Sequence, residues 1–132
     1  MSYSVLIVDD SSVVRRMVKR ALAMSGVEIA PVHEAGNGHE ALQVLDRNWV
    51  DIVFADINMP EMTGAELLES MAKNPVLAAT PVVIVSSERS EERSRRMREL
   101  GARDYLVKPF RPESIKQVIW QVLVADKEGR RA

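Results

Sequence analysis

Short apolar runs alternate along the chain with segments whose apolar residues recur every three or four positions. The runs fall at residues 5–8, 28–34, 52–55, 81–85 and 104–107, and the second is the weakest. Strands that alternate with helices in this way are typical of βα units around a parallel sheet with helices on both faces. Pro31 lies in the second run and cannot donate to a strand ladder, so this strand is expected at a sheet edge. The pattern therefore predicts an α/β fold of five βα units.

The helical segments between these strands carry start signals and one apolar face each. Thr63 with Glu66 is expected to form a capping box at the start of the third helix. The other helices are expected to begin at Ser11 or Ser12, Asn37, Ser90 and Pro112. The residues expected to face the core are Val14, Met17, Val18, Ala21, Leu22, Ala41, Leu42, Leu45, Leu67, Leu68, Met71, Ile115, Val118, Ile119, Val122 and Leu123. Trp49 and Trp120 are interpreted as packing residues on helix faces.

Polar residues follow four of the predicted strands directly. Asp9 and Asp10 follow the first strand, and Asp56 follows the third. Ser86 follows the fourth strand and Lys108 the fifth. Because the carboxyl ends of parallel strands meet at one edge of a sheet, these side chains are expected to lie close together. The sequence therefore predicts an acidic pocket that contains one cation and one hydroxyl.

Three carboxylates in one pocket repel each other, by about 4 kcal/mol for a pair ~4 Å apart at an effective dielectric of about 20. Protonation or a bound cation must relieve this repulsion. Oxygen ligands without His or Cys favour Mg²⁺, with Asp9 and Asp10 as the natural metal-side groups. Asp56 is then free to act as a nucleophile toward phosphorus. Lys108 would neutralise a transferred phosphoryl group, and Ser86 would donate a hydrogen bond to it.

Each of these residues alone has a simpler structural interpretation. A single Asp after a strand is usually a helix cap or a turn residue, and a Lys-Pro pair is usually part of a loop. Tyr105 alone is best interpreted as a half-buried strand aromatic whose hydroxyl lies in water. Asn58 and Glu88 alone are interpreted as solvent-facing loop residues. The joint occurrence of all four elements at strand ends favours a functional site.

At these residues the chain closely resembles the receiver domain of two-component response regulators, and most closely the single-domain chemotaxis (CheY) type. The resemblance covers residues 4–124. The matching segments are residues 5–11, 56–60, 63–64, 81–86 and 108–110. The resemblance implies a flavodoxin-like (βα)5 fold with sheet order 2-1-3-4-5. It also implies a receiver domain over residues 1–125, followed by a charged tail at residues 126–132.

The resemblance further implies roles for the acidic residues and the lysine. Asp56 receives a phosphoryl group from the phosphohistidine of a histidine kinase or histidine phosphotransfer protein. Mg²⁺ is held by Asp10, Asp56 and the backbone carbonyl of Asn58, and Asp9 acts largely through water. Lys108 pairs with the acceptor carboxylate and then with the phosphate, and the peptide bond after it is cis.

By the same resemblance, Ser86, Tyr105 and Lys108 form a switch. The Ser86 hydroxyl is drawn to the phosphate, and Tyr105 turns inward to fill the vacated space. The change is read by a protein partner on the face of the fourth helix, fifth strand and last helix. Asn58 and Glu88 flank the attacking water and tune dephosphorylation. The partner stays open among a flagellar motor switch, a phosphorelay histidine protein and a kinase in feedback.

Composition excludes several other classes of protein. With 18 basic and 19 acidic side chains the net charge is −1, which does not indicate a nucleic acid or an anionic membrane as partner. The absence of cysteine excludes disulfides and zinc–thiolate sites. No apolar run approaches the ~20 residues of a membrane helix, so a soluble cytoplasmic protein is expected. The arginines of the fourth helix are expected to form Glu91–Arg95 and Glu92–Arg96 pairs on a solvated face.

Two other functions are compatible with an Asp after a strand of an α/β fold. A magnesium-dependent phosphatase of the haloacid-dehalogenase kind needs a second Asp two residues after the nucleophile. Asn58 holds that position and cannot transfer a proton, so the chain is not expected to be an enzyme beyond its own phosphorylation and dephosphorylation. A flavin carrier needs a phosphate loop after the first strand, where Asp9 and Asp10 would repel the phosphate.

Overall fold

The computed structural model describes residues 2–125, in which five strands and five helices alternate. The strands are β1 (Tyr3–Val8), β2 (Ile29–Ala35), β3 (Ile52–Ala55), β4 (Val82–Ser86) and β5 (Asp104–Val107). The helices are α1 (Ser12–Ala23), α2 (Gly38–Arg47), α3 (Gly64–Ala72), α4 (Glu91–Glu99) and α5 (Pro112–Ile119), and α5 continues into a π-helical segment, Trp120–Ala125. The predicted tail at residues 126–132 lies outside the described residues.

The five strands form one parallel sheet in the order β2-β1-β3-β4-β5, as expected. Pro31 therefore lies in an edge strand. Such a strand has only one neighbouring strand, so the N–H that Pro31 lacks is not needed to pair with a second one. The register between β1 and β2 shifts between Tyr3 and Val5, opposite this irregular part of β2. The irregularity lies at the opposite end of β1 from Asp9, so it leaves the carboxyl edge of the sheet undisturbed.

The core lies in two layers, one on each face of the sheet. Alternate strand residues enter different layers, so Leu6 lies in the layer that contains residues of α2, α3 and α4, whereas Ile7 lies in the layer with α1 and α5. Phe54, at the centre of the sheet, is 1% exposed and belongs to the α1–α5 layer. Both faces of the sheet are covered, which explains why its strands are almost continuously apolar.

The predicted helix caps are present. Ser11, Asn37 and Ser90 each accept a hydrogen bond from a backbone N–H three residues later. Thr63 and Glu66 make both bonds of the capping box. Each capped helix begins within a few residues of a loop at the carboxyl edge of the sheet, and the caps therefore fix the loops that carry the polar cluster.

Three predicted packing positions are wrong. Met17 is 47% exposed, because the buried face of α1 is set by Val18, Ala21 and Leu22. Trp49 lies beyond the end of α2 and is 77% exposed, so helical periodicity no longer determines its direction. Trp120 lies at the change from α-helix to π-helix and is 45% exposed.

The expected i,i+4 ion pairs of α4 are also not formed among residues 2–125. The arginines pair instead with other acids: Arg93 with Glu88 at 3.1 Å, Arg96 with Glu99 at 3.8 Å and Arg98 with Asp104 at 3.1 Å. Arg96, which was predicted to pair with Glu92, pairs instead with Glu99 three residues later in the same helix, so one local pair replaces another. No helix of the described part of the chain is long and apolar enough to cross a bilayer.

Candidate functional site

The carboxyl edge of the sheet brings together the three acids and the lysine. Asp9, Asp10 and Asp56 each offer a carboxylate oxygen, and these oxygens lie within 4.8 Å of one another. The Lys108 Nζ atom lies 3.0 Å from Oδ2 of Asp9 and 3.7 Å from Oδ1 of Asp56. Residues that are ninety-nine positions apart in the chain thus share one pocket, as the strand-end pattern predicts.

Asp9 is buried, and all of its polar groups have partners. Its backbone N–H donates to the carbonyl of Ala35, at 3.0 Å, and its backbone carbonyl accepts from the guanidinium of Arg15. One carboxylate oxygen accepts from the N–H of Ser11 at 2.8 Å, and the other accepts from Lys108. The position of Asp9 is therefore fixed from four directions, and its charge is compensated despite burial.

Asp10 differs from Asp9 because its side chain is exposed. Within residues 2–125 its side chain makes no hydrogen bond or ion pair, so only the backbone that carries it restricts where its carboxylate can lie. The cluster offers only oxygen donors, with no His or Cys among its members. This donor set fits Mg²⁺, which takes one or two protein carboxylates and completes its shell with water and phosphate oxygens.

Asp56 lies at the end of β3, where it is partly buried. Burial raises the pKa of its carboxyl above the usual aspartate value, and the charge of Asp9 raises it further. Lys108 and the backbone N–H groups of Ile57 and Asn58 lower the pKa, but they do not offset the burial. A bound cation would therefore offset the free-energy cost of keeping this carboxylate ionised.

Ser86 and Tyr105 both bond to the backbone of Glu88. The buried Ser86 Oγ accepts from the Glu88 N–H at 3.2 Å, and the Tyr105 hydroxyl donates to the Glu88 carbonyl at 2.9 Å. The simpler interpretation of Tyr105, with its hydroxyl in water, is therefore wrong for this structure. One loop residue links a side chain beside the acidic pocket to a side chain on β5.

Asn58 and Glu88 also contact each other. The Asn58 Nδ2 atom donates to Oε1 of Glu88 at 3.0 Å, while Oε2 of Glu88 pairs with Arg93 at 3.1 Å. The contact joins the loop after β3 to the loop after β4. Both residues lie in loops and retain exposure, in agreement with the simpler interpretation, and their side chains also contact each other.

Lys108 is anchored through its backbone. Its N–H donates to the carbonyl of Ser86 at 2.7 Å, which ties the end of β5 to the end of β4. The peptide bond between Lys108 and Pro109 is cis, as the resemblance implies. The side chain extends from this fixed point to the acids of β1 and β3.

The contact between Arg15 and Asp9 was not predicted. Arg15 is the fourth residue after the cap Ser11, so one turn of α1 carries its side chain back to the strand end. That spacing was the available signal, but four basic residues lie on this helix. Periodicity alone does not choose among them.

A parallel sheet in this order, with three acids, a lysine and a buried hydroxyl at its carboxyl edge, defines a class of signalling domain. The sequence model of the response regulator receiver domain matches residues 5–120, and the chain belongs to this family. It is a receiver domain of the two-component and chemotaxis type, with the flavodoxin-like fold of CheY.

Relatives come from both plants and bacteria. The chain is 42% identical over 122 residues to two-component response regulator ORR3 of Oryza sativa subsp. indica, covering 91% of this chain and 90% of that protein. It is 34% identical over 119 residues to chemotaxis protein CheY1 of Helicobacter pylori, covering 89% of this chain and 94% of that protein. The structure of chemotaxis response regulator CheY4 of Vibrio cholerae superposes with a TM-score of 0.83, at 35% identity, over 93% of this chain and 100% of that one.

Proposed function

We propose that this chain accepts a phosphoryl group on Asp56 and thereby changes its affinity for a downstream protein. The donor is the phosphohistidine of a histidine kinase or histidine phosphotransfer protein, and the reaction needs Mg²⁺. The observation that carries this proposal is the position of Lys108, whose ammonium lies within 4 Å of both Asp9 and Asp56 in the acidic cluster. A lysine between two acids supplies the charge that a transferred phosphoryl group needs.

The transfer is an in-line displacement at phosphorus. An oxygen of Asp56 forms a bond to phosphorus while the bond from phosphorus to the imidazole nitrogen breaks, and the leaving imidazole keeps that electron pair. The backbone N–H groups of Ile57 and Asn58 orient the acceptor carboxylate. The ammonium group of Lys108 compensates the negative charge that the phosphoryl group brings to this position.

The metal site is proposed to involve Asp10, Asp56 and the backbone carbonyl of Asn58. Asp9 is already engaged by Ser11 and Lys108, so it acts through water. When bound, Mg²⁺ supplies a fixed positive charge beside the acceptor oxygen. These residues offer only oxygen atoms as metal ligands. Oxygen ligands favour magnesium over a softer metal, which supports this assignment.

The switch is proposed to act through the backbone of Glu88. If the Ser86 hydroxyl turns toward a phosphoryl group, the N–H of Glu88 loses its acceptor. The same residue provides the carbonyl that holds the Tyr105 hydroxyl, so the position of Tyr105 responds. The change reaches the surface formed by α4, β5 and α5, where the downstream protein binds.

We propose no turnover of external phosphoesters. Asn58 stands two residues after Asp56 and its amide cannot serve as a general acid. The chemistry is limited to phosphorylation of Asp56 and hydrolysis of the resulting acyl phosphate. The contact between Asn58 and Glu88 at the mouth of the pocket is proposed to tune that hydrolysis.

The test uses a small phosphodonor. The full chain is incubated with acetyl phosphate and Mg²⁺, and the mass of the product is measured after acid and after base. One acid-stable, base-labile phosphoryl adduct is expected. Asp56→Asn should abolish the adduct, whereas Asp46→Asn, an exposed acid on α2, should not. An undiminished adduct in Asp56→Asn would show that the nucleophile is wrongly assigned.

The downstream partner requires a second experiment. Phosphorylated and unphosphorylated chain are immobilised separately, and proteins retained from an extract are compared by mass spectrometry. A partner that distinguishes the two forms is expected. Identical retention by both forms, with the adduct verified by mass, would contradict the switch but leave the phosphorylation intact.

A further inference from the structure

Arg15 joins the acidic pocket to the edge of the sheet. From α1, its Nη1 atom donates to the backbone carbonyl of Asp9, and its Nε atom pairs with Oε1 of Glu34 on β2 at 3.1 Å. The second oxygen of Glu34 pairs with Lys19 at 3.2 Å. The Arg15 side chain is only 20% exposed, so the guanidinium is held against the strand end on two sides.

The charge of Glu34 supports this arrangement. Burial raises the pKa of Glu34, but hydrogen bonds and charges from Lys19 and Arg15 outweigh that effect and leave the pKa below the usual value. Glu34 is therefore ionised at neutral pH and provides a fixed anchor for the guanidinium. Arg15, with its planar fork of donors, is suited to contact two acceptors at once.

The carbonyl that Arg15 contacts belongs to the peptide that also carries the N–H of Asp10. Because a peptide is planar, a donor on this carbonyl fixes the orientation of the whole unit. The other contacts of Asp9 are made by its own N–H and by its carboxylate. Asp10 has no side-chain partner within residues 2–125, so this peptide sets the direction of its Cα–Cβ bond and thereby the positions that its carboxylate can reach.

We propose that Arg15 is a positioning residue for the metal site. It holds the peptide between Asp9 and Asp10 so that the Asp10 carboxylate points toward Asp56. This inference rests on the magnesium site of the proposed function and adds a residue that does not touch the metal. Groups that orient a metal ligand from outside typically change metal affinity by about 10–100-fold when removed.

Charge and positioning make opposite predictions for the removal of Arg15. The guanidinium is a cation beside a cation site, so loss of its charge alone would strengthen Mg²⁺ binding. Loss of its positioning would weaken Mg²⁺ binding. A role confined to joining α1 and β2 would lower stability slightly, as for a partly exposed ion pair, and leave Mg²⁺ binding unaltered.

The experiment is a Mg²⁺ titration of the full chain without a phosphodonor. Binding is monitored through the NMR chemical shifts of the backbone amides at residues 9–11 and 56–58. Arg15→Gln is compared with Arg16→Gln, an exposed neighbour with the same change in charge. The dissociation constant for Mg²⁺ should rise by about tenfold in Arg15→Gln. It should stay at or below the wild-type value in Arg16→Gln. In metal-free protein, the amide shifts of Asp10 and Ser11 should change in Arg15→Gln only.

Two variants that preserve the positive charge, Arg15→Lys and Arg16→Lys, provide the same test if Arg15→Gln does not fold. One ammonium cannot contact both Asp9 and Glu34, so Arg15→Lys should weaken Mg²⁺ binding by about threefold, less than glutamine does. Arg16→Lys should titrate as wild type. Equal titrations at positions 15 and 16 would overturn the role of Arg15 and leave the proposed function standing. A wild-type chain without saturable Mg²⁺ binding would overturn both the metal site and this role.

Discussion

Lys108 lies closer to Asp9 than to Asp56, with its Nζ atom 3.0 Å from one carboxylate and 3.7 Å from the other. The Asp9 side chain is 4% exposed, whereas that of Asp56 is 12% exposed. The lysine thus compensates the more deeply buried of the two acids. Any added negative charge on Asp56 would shift the balance of attraction toward the acceptor.

Replacement of Lys108 by Met should therefore destabilise the metal-free protein. The buried carboxylate of Asp9 loses its charged partner, and a fall of about 1–2 kcal/mol in the free energy of unfolding is expected, since Lys108 itself retains some solvent contact. Urea denaturation in EDTA measures this change. Lys116→Met, at an exposed position of α5, should cost less than about 0.5 kcal/mol. Equal costs at the two positions would contradict the pairing with Asp9.

Replacement of Asp56 by Asn should stabilise the metal-free protein near neutral pH. The pKa of Asp56 is raised in the folded state, so folding favours the protonated form and the ionised carboxylate lowers stability at any pH above that pKa. Asparagine removes this penalty. As pH falls from about 7 to about 4, the wild-type carboxyl becomes protonated and the advantage of Asn should shrink.

Urea midpoints across that pH range, with EDTA present, measure the effect at Asp56. Asp46→Asn serves as the control, since its exposed carboxyl should give little difference at any pH. Added Mg²⁺ should stabilise the wild type more than Asp56→Asn, because ligand binding to the folded state adds to stability. An advantage of Asn that grows as pH falls would refute the assignment.

The positions of the site residues could be predicted because they follow from sheet geometry. In a parallel sheet every strand end faces the same edge, so the apolar runs before Asp9, Asp56 and Lys108 were sufficient to bring those residues together. The edge position of β2 followed from Pro31 in the same way. These inferences needed only element type and direction, not side-chain conformation.

The failures all depend on details that periodicity does not contain. Trp49 was assigned to a helix face, but α2 ends before it. Arg96 pairs with Glu99 rather than with the predicted Glu92, and the choice between two acids on one helix depends on side-chain rotamers. The contact of Arg15 with the Asp9 carbonyl depends likewise on the rotation of α1 about its axis.

Replacement of Tyr105 by Phe should separate packing from hydrogen bonding in the switch. The ring stays against the core residues beneath α4, while the bond to the Glu88 carbonyl is lost. A cost of about 1 kcal/mol in the free energy of unfolding is expected. Amide shifts in α4 that follow phosphorylation by acetyl phosphate should also become smaller. Full wild-type shifts in Tyr105→Phe would exclude its hydroxyl from the response.

Gly64 packs closely against the backbone of the acceptor Asp56. Its replacement by Ala should lower both the stability of the protein and its rate of phosphorylation. Its N–H donates to the carbonyl of Ile57 at 2.8 Å, and a Cβ atom at position 64 would lie 2.5 Å from the backbone oxygen of Asp56. The β3–α3 loop would have to move, which is expected to lower the free energy of unfolding by about 2–3 kcal/mol, in the range for overpacking. Because the displaced atoms belong to Asp56 and Ile57, the rate of adduct formation with acetyl phosphate should fall as well.

Gly36→Ala is the matched control for Gly64→Ala. A Cβ atom there would meet only the flexible carboxylate of Glu40, at 3.2 Å, so the cost should stay below about 1 kcal/mol and the rate of adduct formation should be unchanged. Urea denaturation and the time course of adduct mass measure the two effects on the same samples. If both glycine variants are equally stable and are phosphorylated equally fast, the close approach of Gly64 to the Asp56 backbone does not constrain the acceptor.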